Sequence, residues 1–318
     1  MTLDNILEEI KKAEKIVILT HELPDGDAVG SSLAMMFALK SIGKESDVII
    51  PEYSSCFSFL PGIPEVKAET YVEKYDLAIA LDCADGKILC GYDKYFEKAK
   101  TKMVIDHHGS NKMYGDINFV NPVSPACCEV LIGMFDYFGI EITKDIGTCL
   151  ITGIITDTGG FDYNVTPETF DFAAMLLRKG IKISEVYQKT LRTKTRANFE
   201  LTRLANDRLE FLEDGKVVFT YITNQDEENV GAKTGDHEGL VEIGRDIEGV
   251  EVSIFLHEIP GKINGFKISL RAKEYVNVAD ICIMFGGGGH AKAAGAFSLG
   301  TVEQIKEKVL VEIRKQLK

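Results

Sequence analysis

Three short apolar runs in the first third of the chain pass almost directly into an acid or an imidazole. Ile16-Val17-Ile18-Leu19 leads through Thr20 to His21-Glu22-Leu23-Pro24-Asp25-Gly26-Asp27. Leu77-Ala78-Ile79-Ala80-Leu81 ends on Asp82, and Met103-Val104-Ile105 on Asp106-His107-His108. A helical run over 146–156 closes on a fourth acid, Asp157, just before Gly159-Gly160. Runs this short and this rich in branched residues predict strands. Val48-Ile49-Ile50, stopped by Pro51, adds another. Helical spacing recurs between and after them, over 28–41, 125–138, 144–156 and 167–179. Strand alternating with helix predicts an α/β domain built on a mostly parallel, Rossmann-like sheet. In such a sheet ligands gather beyond the carboxyl ends of the strands. Acids and imidazoles from separate strands are therefore expected to meet there.

A single strand-end aspartate more often caps a helix than binds a cation. Four such positions in one domain, each closing an apolar segment, are hard to explain as independent caps. Imidazole and carboxylate together suit borderline-hard divalent ions, Mn²⁺ foremost. Asp25 and Asp27, two residues apart on a loop, can point at adjacent ions. Two such ions clamp the attacking and leaving oxygens of a phosphoryl transfer.

The remainder of the chain changes character. A charged helical stretch over 186–210 reads as a linker between a domain of residues 1–185 and one of 211–318. Strands are expected at Val217–Ile222, 250–256 and 266–270, with an amphipathic helix from Val302 onward. This predicts a smaller α/β domain with a mixed sheet. Its distinguishing feature is Phe285-Gly286-Gly287-Gly288-Gly289-His290. Consecutive glycines open backbone N–H groups to an anion, although a flexible turn explains glycine runs equally well. His290, Lys292 and the nearby Arg271 tilt the reading toward a phosphate grip.

Charge bears on partners. The net charge of −13 argues against a protein that coats long nucleic acid. It is unevenly spread: residues 191–318 hold 18 basic and 20 acidic residues, which leaves 18 and 29 for 1–190. The acidic excess lies where carboxylates can serve as cation ligands. No apolar stretch reaches the roughly 20 residues a membrane span needs. The N-terminus reads as an amphipathic helix without a signal-type apolar region. Seven scattered cysteines, Cys56, Cys83, Cys90, Cys127, Cys128, Cys149 and Cys282, without a CxxC pair, suggest reduced thiols and a cytoplasmic setting.

The ordered motifs resemble the DHH phosphoesterases that carry a DHH-associated C-terminal domain, in particular the branch of oligoribonucleases acting on very short RNA and on pAp. Four motifs carry the resemblance in the first domain. They are His21-x-x-Pro24-Asp25-Gly26-Asp27-Ala28-x-Gly30-Ser31; Asp82; Asp106-His107-His108-x-x-Asn111; and Gly153-Ile154-Ile155-Thr156-Asp157-Thr158-Gly159-x-Phe161. In the second domain Ile268-Ser269-Leu270-Arg271, the glycine run with His290, and Ala293-Ala294-Gly295 match. The resemblance implies one cation on His21, Asp25 and Asp82, and another on Asp27, Asp82, His107 and Asp157, bridged by Asp82. It implies that Asp106 orients an imidazole and that His108 faces the scissile phosphate. Arg271, Gly286, Gly287, Gly288, Gly289 and His290 would hold the substrate's terminal phosphate or base. In-line attack by a metal-bridging hydroxide, without a covalent intermediate, is the implied mechanism, and a homodimer the implied assembly. Family members commonly place small hydroxylated residues near Cys127-Cys128, so a hydroxyl contact to substrate is not expected there. Cyclic di-AMP or its linear product, and single-stranded DNA, are alternative substrates within the same fold. A nucleotide sensor without chemistry is the alternative from another class.

Overall fold

The computed structural model describes all residues except Met1, Leu23, Cys90, Gly91, Thr234 and Glu238. Leu23 of the first motif and Cys90 of the cysteine set thus lie outside the described residues. The chain divides into two compact units, residues 1–193 and 194–318.

The first unit contains α1 (Leu3–Lys12), β1 (Ile16–Leu19), α2 (Gly26–Ser41), β2 (Ser46–Ile49), β3 (Leu77–Leu81), α3 (Asp93–Lys98), β4 (Thr101–Asp106) and β5 (Ile117–Val120). Helices α4 (Cys127–Phe138), α5 (Lys144–Asp157), α6 (Pro167–Arg178) and α7 (Ile183–Tyr187) follow. The five strands run parallel in the order β2-β1-β3-β4-β5. From β1 the chain goes one way to β2, and β3 pairs on the other side. The loops after β1 and β3 therefore part company, which opens a crevice at their carboxyl ends. His21 follows β1 and Asp82 follows β3, so the sheet order itself delivers them to one place.

Helix α2 is buried over nearly its whole length, from Gly26 to Leu39. It has no polar face because it is a core helix covered on all sides. Its contact with α5 is tight: a Cβ on Gly30 would lie 2.5 Å from the Cys149 carbonyl oxygen. Only glycine permits this approach. Strand β5 and helix α3 were not expected from the sequence; β5 carries Asn118 between apolar residues, and α3 spans only six residues.

The second unit contains α8 (Arg196–Asp207), β6 (Glu210–Leu212), β7 (Val217–Ile222), α9 (Asn224–Val230), α10 (Glu242–Arg245), β8 (Val252–Glu258) and β9 (Gly265–Ala272). Then come α11 (Val278–Met284), β10 (Gly288–His290), β11 (Ala293–Leu299) and α12 (Val302–Arg314). Its mixed sheet has the order β10-β11-β9-β8-β7-β6; β7 and β8 pair in parallel, and the other neighbours antiparallel. The charged stretch after 182 is not uniform. Residues Gln188–Arg192 form a π-turn that belongs with the first unit. Helix α8 buries Leu201 and Ala205 as part of the second. The glycine run is only partly a loop, since Gly288–His290 is the first strand of a tight hairpin with β11.

An ion pair anchors α9. Arg208 donates two hydrogen bonds to the Asp226 carboxylate, at 2.5 and 2.9 Å, while Asp226 also closes the capping box with Thr223. Burial opposes ionisation of Asp226, but Arg208 and Thr223 overcome it and hold the carboxyl at about 2. A carboxylate with a depressed folded pKa stabilises above its unfolded value of about 4 and loses that contribution as pH falls through the folded value. Asp226→Asn should therefore cost about 2 kcal/mol at neutral pH. The deficit relative to wild type should shrink between about pH 4 and pH 2, as followed by denaturant melts across that range.

Candidate metal centre

The first unit gathers its imidazoles and carboxylates beyond the strand ends. Asp25 caps α2, its Oδ1 accepting from the backbone N–H groups of Asp27 and Ala28 at 3.0 and 3.1 Å. Asp27, the second residue of the helix, is fully buried. Its carboxylate accepts from the first two amides of α4, Cys127 N–H at 2.5 Å and Cys128 N–H at 2.9 Å. Asp82 adopts a left-handed backbone with φ of 52°, a strained conformation for a residue with a side chain. Its amide reaches across to the Ile105 carbonyl, which ties the turn to β4.

Three groups of possible ligands form, one of them Asp82, Asp106, His107 and His108; the other two match the sets that the motifs imply. One atom each of His21, Asp25 and Asp82 lie within 4.8 Å of one another, and likewise those of Asp27, His107 and Asp157. Asp82 stands between these two groups. Its Oδ2 is 3.8 Å from His21 Nε2, and its Oδ1 is 3.4 Å from His107 Nε2. His107 Nε2 is also 3.2 Å from Asp157 Oδ2 and 3.9 Å from Asp27 Oδ2.

The hydrogen-bond pattern decides what these atoms are fit for. His107 Nδ1 lies 3.2 Å from the Ser124 carbonyl oxygen, and His21 Nδ1 2.8 Å from that of Glu22. A carbonyl only accepts, so both Nδ1 atoms carry the proton and donate it. In a neutral ring each Nε2 then presents a lone pair toward carboxylate oxygens, which repel it. His107 Nε2 and Asp82 Oδ1 are buried without any hydrogen-bond partner. A divalent cation satisfies this arrangement, and the Nδ1-to-carbonyl bond is the usual support of a metal-bound histidine. The residues present therefore fit the ions that the motifs imply.

The same carboxylates attract positive charge, whether it is a proton on the ring or a metal ion. Burial would lower the His21 imidazole, but Asp82 and Asp25 carry it up to about 9. Burial likewise opposes His107, and Asp157 and Asp82 overcome it and push it up to about 12. Burial and the neighbouring Asp82 charge push Asp27 up to about 7. Burial and Asp27 raise Asp157 as well. Buried carboxylates crowd here with too little positive charge to balance them, which is a demand for cations.

Asp106 is buried behind this cluster. Its Oδ1 accepts from His108 Nδ1–H and from the His107 amide, both at 2.8 Å, and its Oδ2 accepts from the Asn111 side-chain amide at 2.6 Å. The imidazole that Asp106 orients is thus His108. His108 is raised above its usual range, against burial, by Asp106 and Asp82. Cys127 and Cys128 are fully buried and meet Asp27 through their backbone amides. Composition and spacing give no hint of that amide grip; only the fold brings residue 27 to the start of α4.

In the second unit Arg271 on β9 and His290 on β10 both register with Ala293 on β11. They therefore lie in one row across the sheet. Arg271 Nε donates to Glu242 Oε1 at 2.9 Å. Lys292 departs from the expected phosphate grip: its ammonium donates to the carbonyls of Glu274 and Val276. Two of the glycines have a packing reason. A Cβ on Gly287 would lie 2.1 Å from the Gly295 carbonyl oxygen, and one on Gly289 would lie 2.6 Å from that of Ala293. A Cβ on Gly288 would meet nothing within 4 Å.

Comparison with known proteins gives a family match in each unit. Residues 15–154 match the DHH family, N-terminal domain, and residues 214–317 the DHHA1 domain. The chain is 34% identical to the bifunctional oligoribonuclease and PAP phosphatase NrnA of Thermus thermophilus, over 98% of this chain and 94% of that protein. An exopolyphosphatase-related protein from Bacteroides fragilis superposes with a TM-score of 0.88 at 28% identity, covering 98% of this chain and 95% of that one. The Thermus thermophilus RecJ structure in complex with Mn²⁺ shares the fold at a TM-score of 0.55 and 12% identity, over 99% of this chain and 54% of that one.

The α2–α5 crossing is what sets Asp27 in place. A Cβ on Gly153 would lie 2.3 Å from Asp27 Oδ1 and 2.4 Å from Cys128 Sγ. Gly153→Ala should cost about 1–3 kcal/mol and weaken divalent-cation binding roughly 10- to 100-fold, as loss of a ligand's support does. Gly133→Ala on α4, where a Cβ meets nothing within 4 Å, should do neither. Calorimetric titration with Mn²⁺ checks both; unchanged affinity in Gly153→Ala would show that the crossing does not govern the centre.

Proposed function

The chain belongs to the DHH family, and on that premise we propose that it hydrolyses phosphate esters of very short oligoribonucleotides and of pAp, using two Mn²⁺ ions in its first unit. Divalent-metal dependence is the family's chemistry. The observation that carries the assignment of the ions is the pair of histidines, each giving Nδ1–H to a carbonyl and aiming Nε2 at carboxylates. His21, Asp25 and Asp82 would hold one ion, and Asp27, Asp82, His107 and Asp157 the other. Sets of two or three carboxylates with a single imidazole each suit the harder Mn²⁺. When bound, the ions supply positive charge against the phosphoryl oxygens and acidify water.

The chain's own groups do the rest. Asp106 fixes the Nδ1 proton of His108 and, with Asp82, favours the protonated ring. His108 can then deliver its Nε2 proton to the departing oxygen, or stabilise charge on phosphate. Asn111 in turn fixes Asp106. In the second unit, Arg271, the glycine run from Gly286 to Gly289, and His290 are assigned to substrate phosphate or base. A Cβ at Gly288 would meet only open space, so the role assigned to this glycine is close approach of the substrate. A homodimer and a cytoplasmic location complete the proposal; no helix among the described residues is long and apolar enough to cross a membrane.

Release of phosphate and nucleotide from pAp, a diribonucleotide and cyclic di-AMP, with Mn²⁺ and with chelator, tests the proposal. Turnover of pAp or the diribonucleotide should require Mn²⁺ and vanish in Asp82→Ala. His108→Ala should lose roughly a hundred- to ten-thousand-fold in kcat, and Asp106→Asn less, roughly 10- to 100-fold. Gly288→Ala should raise KM with an unchanged melting temperature. No turnover of pAp or the diribonucleotide by folded, metal-loaded protein would overturn the substrate assignment, and turnover of cyclic di-AMP alone would replace it.

A further inference from the structure

A second cluster of imidazole and carboxylate lies wholly within the second unit, built from residues that the phosphoesterase motifs do not include. Strands β7 and β8 are parallel, so their carboxyl ends share one edge of the sheet. His257 is near the end of β8, opposite Ile222, the last residue of β7. Helix α9 begins two residues after Ile222 and carries Glu227 in its first turn. His237 comes from the turn that follows α9. The sheet thus does here what the parallel sheet does in the first unit: it collects polar side chains beyond its strand ends.

One donor atom each of Glu227, His237 and His257 lie within 4.8 Å of one another. His257 Nε2 is 3.1 Å from Glu227 Oε2, and His237 Nδ1 is 3.7 Å from Glu227 Oε1. The two imidazole rings lie 4.2 Å apart, inclined by 32°. His257 is 8% exposed, and its Nε2 is buried without a properly directed hydrogen bond despite the nearby carboxylate. A buried ring nitrogen left unsatisfied beside a carboxylate and a second imidazole is the signature of a missing shared partner.

We propose that Glu227, His237 and His257 bind a divalent transition ion, Zn²⁺ foremost. Two imidazoles and one carboxylate form a three-residue donor set well known for that ion. Tetrahedral bonds of about 2.0–2.2 Å place ligand atoms about 3.3–3.6 Å apart, and the three donor atoms, within 4.8 Å of one another, would close to that spacing. Its supports are tied to the fold. Glu227 sits on a helix held by the Arg208–Asp226 pair, and His257 on an internal strand. The turn bearing His237 is tied to α8, because Thr195 Oγ1 donates to Asp236 Oδ1 at 2.6 Å and Asn198 Nδ2 to the Asp236 carbonyl at 2.8 Å. Burial, His257 and Lys267 lower His237 to about 4, against the pull of Glu227 and Asp236, so its lone pair is available at neutral pH. The Lys267 ammonium is a counterweight to the two carboxylates Glu227 and Asp236, and the ion would add to it. Three protein donors leave the remaining coordination to water or an added ligand, and the ion would pin the turn to β8.

Equilibrium dialysis of the chain against Zn²⁺, with metal counted per chain, tests the site alongside His237→Ala, Glu227→Gln and His257→Gln. Each variant should bind one equivalent fewer than wild type while retaining Mn²⁺-dependent turnover. His237→Ala changes a turn residue, and its metal-free melting curve should match wild type, so a lost equivalent there reports a lost ligand. In the unmutated chain, Zn²⁺ should slow hydrogen exchange in the turn carrying His237 and shift the ring resonances of His237 and His257. Equal stoichiometry in wild type and variants, or unaltered exchange and resonances at those positions, would show a hydrogen-bonded polar cluster only. The outcome does not depend on the first unit's activity, since loss of that activity would leave this stoichiometric difference intact.

Discussion

A fully buried carboxylate, Asp27, is the feature around which the first unit is assembled. Removing a charge from water is expensive, and the chain meets the cost with backbone N–H groups at the start of α4. That requires α4 to begin where α2 begins, and it requires α5 to pass close enough for Asp157 to arrive at the same point. Glycines at 30 and 153 make the passage possible. Helix position, sheet order and side-chain chemistry are therefore not separable here. The carboxylate specifies the helix ends, and the helix ends place the other ligands.

Much of this was legible from residues alone. The strands β1, β3 and β4 announced themselves by apolar runs ending on polar chemistry, and α2, α4, α5 and α12 by their spacing. The motif residues drew together because parallel strands must end at one edge. What escaped were elements with little hydrophobic signature. Apart from His290, β10 and β11 are made of glycine and alanine where they pair, and they form strands because backbone approach, not side-chain bulk, holds them. The grip of Asp27 on residues a hundred positions away has no local signal at all. Nor had Lys292, whose nearness to His290 in sequence suggested a shared task that the hairpin denies it.

The second unit reuses one geometric idea in a different setting. Its sheet is mostly antiparallel, yet the β7–β8 pair is parallel, and it is there that Glu227 and His257 meet. Antiparallel neighbours send their ends in opposite directions and would have separated them. His290, Ala293 and Arg271, by contrast, align because antiparallel register sets them side by side on neighbouring strands.

The cysteines beside the first centre have a chemical consequence. Burial first, and the surrounding carboxylates second, hold the Cys127 and Cys128 thiols well above their usual range. Sulfur reacts as thiolate, so these two are poor nucleophiles and poor targets for oxidants or alkylating agents. They also withhold the soft ligand that would draw thiophilic ions away from an oxygen- and nitrogen-lined site. Two of the most reactive side chains in the repertoire thus serve as inert filling, and the centre gains a measure of chemical durability from where they are packed.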